Sequence, residues 1–214
     1  MKVRKSDSTL RSLLKFFIFF IVLYLPSDGN SGLFGLSVND YAPFKEGREW
    51  KYSIVDKIGD SIVGRKETTY TALSHTKING KEVIPLKCYD EEKKEYSLSF
   101  YYVDSLKVIF VAQQGSGDPE PKPENNIIIK APIQEGSSWK SNNISYTIMS
   151  INDSVTVPAG TFNQCLKIKW SLEDGEVITW YAPDVGHIKT IIIKTVDERK
   201  IKKEKIMQLV SFKK

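Results

Sequence analysis

Ala42-Pro43-Phe44-Lys45-Glu46-Gly47-Arg48-Glu49-Trp50-Lys51 returns as Ala131-Pro132-Ile133-Gln134-Glu135-Gly136-Ser137-Ser138-Trp139-Lys140, with six of ten positions identical. A segment written twice predicts a chain made of two copies of one unit, and that narrows the fold before any residue is read for chemistry. A second echo follows the first. Phe100-Tyr101-Tyr102-Val103-Asp104 is answered by Thr179-Trp180-Tyr181-Ala182-Pro183-Asp184, and Cys88 by Cys165. The repeated segment reads as the approach to a strand. Pro43 and Pro132 interrupt a ladder, Gly47 and Gly136 permit a tight turn, and Trp50 and Trp139 open the strand that follows.

Those strands are amphipathic. Trp50, Tyr52 and Ile54 alternate with Lys51 and Ser53; Tyr96, Leu98, Phe100 and Tyr102 with Ser97 and Ser99; Leu166, Ile168, Trp170 and Leu172 with Lys167, Lys169 and Ser171. Alternation of this kind is the mark of antiparallel strands with one buried face. Asn79-Gly80 and Asp174-Gly175 supply hairpin turns, and Val157-Pro158-Ala159-Gly160 a longer one. About a dozen strands are expected and almost no helix after residue 40.

The predicted fold class is therefore all-β: one antiparallel curved sheet, a half-barrel or open barrel, from two tandem repeats. Residues 41–112 form the first repeat and 130–214 the second, both in one β domain. Residues 113–129, rich in Pro and Gly, read as a linker that forms neither strand nor helix easily.

The N-terminus is of another kind. Lys2, Arg4, Lys5, Arg11 and Lys15 precede the apolar run Phe16–Leu25, which Pro26 and Gly29 end. Residues 1–31 are read as a signal peptide or an N-terminal hydrophobic anchor helix. No Cys follows the run to carry a lipid. The segment also accounts for most of the net positive charge. Taking its five basic and two acidic side chains from the totals of 31 and 26 leaves 26 against 24. So slight an excess argues against a nucleic-acid partner. The basic run Arg199–Lys205 is interrupted by Glu204 and reads as a solvated hairpin flank.

Catalytic groupings are not found. His75 and His187 both read as surface or strand-end residues, without a carboxylate pair or nucleophile nearby. Nucleophile elbow, zincin pair and phosphate loop are all missing from the sequence, so no enzyme activity, cofactor or metal is expected. Strand parity places Cys88 on the apolar face and Cys165 on the opposite one, which predicts two free thiols.

Pro43-Phe44-Lys45-Glu46-Gly47-Arg48-Glu49-Trp50, Val157-Pro158-Ala159-Gly160-Thr161-Phe162 and Trp180–Lys189 resemble motifs of exported bacterial β-sheet proteins of unknown function. That group is loosely similar to the LolA/LolB-like lipoprotein carriers, whose curved sheet cups lipid chains. The resemblance implies a bacterial envelope protein and carries over no functional residue; the expected location is the periplasm, the cell envelope or the outside of the cell.

An amphipathic sheet with no helices to cover it must curl around its apolar face. The expected function is non-enzymatic binding of a lipid or other apolar small molecule, with Trp50, Trp139, Trp170 and Trp180 as ligand-contacting residues. Membrane contact is expected only through the N-terminal segment. The alternative is a structural or protein-interaction module at the cell surface.

Overall fold

The computed structural model describes residues 35–172, 174–196 and 201–214; the targeting segment expected over residues 1–31 lies outside them. One helical turn, α1 (Val38–Tyr41), precedes thirteen strands among the described residues. They are β1 (Glu49–Ile58), β2 (Ser61–Ala72), β3 (Thr76–Ile78), β4 (Lys81–Asp90), β5 (Glu95–Val103), β6 (Lys107–Gln114), β7 (Lys122–Lys130), β8 (Ser138–Ser141), β9 (Ile144–Val157), β10 (Gly160–Leu172), β11 (Gly175–Ala182), β12 (Gly186–Val196) and β13 (Ile201–Lys213).

Every described pairing is antiparallel, and the strands run β8-β9-β10-β11-β12-β13-β1-β2-β4-β5-β6-β7, with short β3 on the flank of β4. The sheet curls into a nearly closed barrel with one seam. The first strand pairs with the last, Glu49 opposite Lys213. The seam falls between β7 and β8, which are consecutive in the chain. Two runs of six strands result, each headed by one copy of the Ala-Pro…Trp-Lys segment.

Both copies make the same turn. Gly47 and Gly136 take φ of +80° and +84°, a region glycine enters without steric cost. The Gly47 amide donates to the Ala72 carbonyl while Ala72 donates back to Arg48. Gly136 donates to Ile148, which donates back to Ser137. Trp50 and Trp139 then enter the barrel and are buried, 4% and 8% exposed.

No backbone ladder closes the seam; side chains do. The Trp139 indole donates to the Ile127 carbonyl at 2.8 Å, the Ile127 amide donates to Ser141 Oγ at 2.8 Å, and Asn142 Nδ2 donates to the Glu124 carbonyl. Here the linker expectation is corrected. The end of β6 and most of β7 lie within residues 113–129, and only the turn around Gly115–Pro121 is irregular. Pro123 is tolerated because β7 needs a full ladder on one edge only, against β6. Ile127-Ile128-Ile129 supplies the β-branched run that holds it there.

The residues before β1 fill one end of the barrel. Val38, Tyr41 and Ala42 pack with Trp139, Tyr146, Ile148, Leu166 and Tyr181, contributed by β8 to β11. The Tyr41 hydroxyl donates to the Gln164 carbonyl, and the Asp184 amide donates to Asp40. Burial, with Cys165 and Asp40 nearby, pushes the Tyr41 phenol up to about 12. Tyr41 therefore stays a neutral donor.

Both cysteines are free. Cys88 is half-buried as parity implied, but Cys165 is fully buried on what parity reads as the polar side. Irregular register on both sides of Cys165 in the β9–β10 pair breaks simple alternation there.

Candidate functional site

The inner face encloses a cavity of about 210 Å³. Alternation on β1 sends Trp50 and Tyr52 into it. Tyr70 opposes Trp50 from β2, Tyr101 enters from β5, Thr179 and Tyr181 from β11, and Met207 from β13. Phe44, in the segment that fills the barrel end, forms part of the wall and lies 5.2 Å from the Tyr101 ring and 6.1 Å from Trp50. Tyr52 meets Tyr70 edge-on at 5.5 Å. Neither a carboxylate nor an ammonium group lines this space.

Its polar side is a short strip. His187 Nε2 and Thr190 Oγ1 are 2.7 Å apart, and Thr190 Oγ1 lies 3.0 Å from Thr179 Oγ1. The His187 ring sits between Tyr52 and Tyr181, at 5.1 and 5.9 Å. Burial lowers its pKa to about 4, so the imidazole is neutral near pH 7. Burial likewise raises the Tyr52 and Tyr181 phenols above their ordinary value and pushes Tyr101 up to about 12. Every titratable group on the wall is uncharged at neutral pH. Such a wall suits an uncharged, largely apolar group that offers one or two hydrogen-bonding atoms.

Three side chains at the entry to β1 clamp the turn that delivers His187. Arg48 donates to the Asp184 carbonyl at 3.0 Å, Trp50 to Val185 at 2.7 Å and Tyr52 to His187 at 2.9 Å. Residues 48, 50 and 52 alternate along the chain and reach the carbonyls of residues 184, 185 and 187, across the turn and the start of β12. Gly186 permits the contact: its φ is +88°, and a Cβ there would press on Pro43.

The four tryptophans do not share one site. Trp50 and Trp170 line the cavity. Trp139 stacks on Tyr146, which leans on Trp170, so it belongs to the same inner rung but sits at the seam. Trp180 is on the opposite face from Thr179 and Tyr181. Lys167 and Lys189 each lie 5.3 Å from its ring, and its indole donates to Asp153.

His187 is corrected from a surface reading to a cavity wall, and Tyr52, Tyr101, Tyr181, Thr179 and Thr190 join it there unforeseen as a group. His75 is exposed and faces Glu82 at 3.5 Å. Among the described residues no cluster of His, Cys, Asp and Glu is arranged to hold a metal ion, and no helix is long and apolar enough to cross a membrane.

No protein-family model and no curated protein sequence matches the chain. Two solved structures are similar in outline. One is a candidate exported protein with a YmcC-like fold from Bacteroides fragilis, 14% identical, spanning 79% of this chain and 97% of that one, with a TM-score of 0.44. The other is a candidate lipoprotein from Parabacteroides distasonis, 14% identical, spanning 79% and 96%, with a TM-score of 0.42. Likeness this loose assigns no chemistry to the cavity.

Proposed function

We propose that this chain is an exported, non-enzymatic binding protein of the bacterial envelope whose barrel takes up a small apolar ligand. The cavity carries the reading: an uncharged aromatic pocket of about 210 Å³ with a polar strip at His187, Thr190 and Thr179. Export is supported by the basic and apolar residues 2–25. The volume lies below the roughly 300–1,000 Å³ of drug-sized pockets, which fits a ring system or part of an acyl chain better than a whole lipid. A lipoprotein-carrier role, as in the LolA/LolB-like proteins, would use the pocket for part of one chain.

A second reading, a surface interaction module, draws on Tyr89 and Tyr96. They face each other across β4 and β5, 39% and 49% exposed, with Lys87 beside Tyr96.

Titration of the full chain with 1-aminoanthracene tests the first reading. Blue-shifted fluorescence at one probe per chain is expected, lost in Met207→Trp and reduced in Thr190→Leu. Absence of uptake, or uptake that both folded variants retain, would overturn it.

A further inference from the structure

Further along the strands that line the cavity lies a second, differently lined space. Cross-strand register defines the inner face at successive levels. Ile54, Met207, Thr190 and Thr179 share one rung; Asp56, Lys205, Ile192 and Val177 the next. Two residues further, Ile58, Lys203, Lys194 and Gly175 share a third. Side chains two apart on a strand point the same way, so all three rungs face inward. The lining thus changes from Thr and Met to Lys over four residues, about 13 Å of strand.

That second space measures about 510 Å³ and lies at the end opposite the one filled by Val38–Phe44. Lys194, Lys203 and Lys205 line it from these rungs, against Asp56, while Lys57 and Glu204, one position off the rungs, border it from the other face of the sheet. The carboxylates are already engaged: Asp56 with Lys205 at 3.6 Å and Glu204 with Lys202 at 2.6 Å. Lys194 pairs with Asp174 at 3.0 Å, while Lys57 and Lys203 make no ion pair among the described residues. An uncharged aromatic chamber beneath a net-positive mouth has the polarity of an amphiphile with a negative head.

We propose that the lysine-lined mouth holds the anionic headgroup of an amphiphile whose apolar tail lies in the aromatic cavity. The proposal rests on the cavity reading above and names its ligand class: a carboxylate or phosphate joined to a hydrocarbon chain. Lys203 and Lys194, opposite each other across β12 and β13, are the headgroup contacts. Ile58 on the same rung offers the upper chain an apolar side.

Displacement of 1-aminoanthracene from the full chain tests it, with dodecanoate, methyl dodecanoate and inorganic phosphate as competitors at neutral pH. Dodecanoate should displace the probe about tenfold better than its ester, the scale of a partly solvated charge contact. High salt should shrink the difference. Lys194→Gln with Lys203→Gln should bring acid and ester within about twofold while probe affinity stays unchanged; the single Lys203→Gln, which breaks no ion pair, should give part of that loss. Probe binding without preference for the acid, or a preference that the double variant retains, overturns the headgroup site and leaves the cavity reading standing. Displacement by phosphate alone as strong as by dodecanoate would show a simple anion site and also overturn it. Failure of the probe to bind removes both readings.

Discussion

The Trp50 indole donates to the Val185 carbonyl at 2.7 Å, tying the first strand of the barrel to the turn between β11 and β12. Both groups are buried. Trp50→Phe keeps most of the ring's packing and removes the donor. Thermal or denaturant unfolding should show a loss of about 1–2 kcal/mol, with a concurrent change in the His187 environment by NMR. A loss within error would mean that the bond contributes little.

His187 gives stability a pH dependence with a definite sign. Its folded pKa, about 4, lies below the ordinary 6.5 because burial disfavours the charged ring. Unfolded chains therefore bind the extra proton first as pH falls, so the folded state loses stability between about pH 6.5 and 4. The full effect is on the order of 3 kcal/mol. His187→Gln should flatten this part of the profile relative to wild type in denaturant titrations at pH 7, 5.5 and 4.5. Parallel profiles would refute the assignment.

At Gly175 the constraint is space, not φ. A Cβ there would collide with the Ile193 carbonyl of the neighbouring strand, so backbone must move. Gly175→Ala should cost more than about 2 kcal/mol, whereas Gly64→Ala, whose Cβ would meet only ordinary contacts with Asp56, should cost far less. Equal stability of the two variants would contradict the packing described.

Because the seam is held by side chains, Ser141→Ala should loosen it selectively. Hydrogen exchange is expected to quicken at Ile127 and its β7 neighbours, while the β1–β13 ladder keeps its protection. Uniform acceleration across both would mean that the seam opens only with the whole barrel.

The strands were legible because alternation at Trp50, Tyr52 and Ile54 or Leu166, Ile168 and Trp170 is a period that only a half-buried strand satisfies. Asn79 and Gly80 both take positive φ between β3 and β4, as an Asn-Gly hairpin turn requires. What escaped was set by register. Trp180 lies opposite Lys189, but Tyr181 lies opposite His187, so a bulge skips Ile188 and turns the imidazole inward. Alternation counted from Thr190 would point it out. Trp180 sits in the unbroken run Val177–Tyr181, where no polar residue but Thr179 marks a face, and its outward side was not readable. Strand β7 was hidden by Pro119 and Pro121 in the turn before it and by Pro123 within it, whose cost is small because β7 lies at the seam.

Pairing of β1 with β13 sets the order of events during synthesis. Glu49 meets Lys213 only after β2 to β12 have been made, so the barrel cannot shut before β13 is available. Long-range closure of this kind is slow. Until β1 and β13 meet, the inner face stays open to water, and the cavity comes into being only with that pairing.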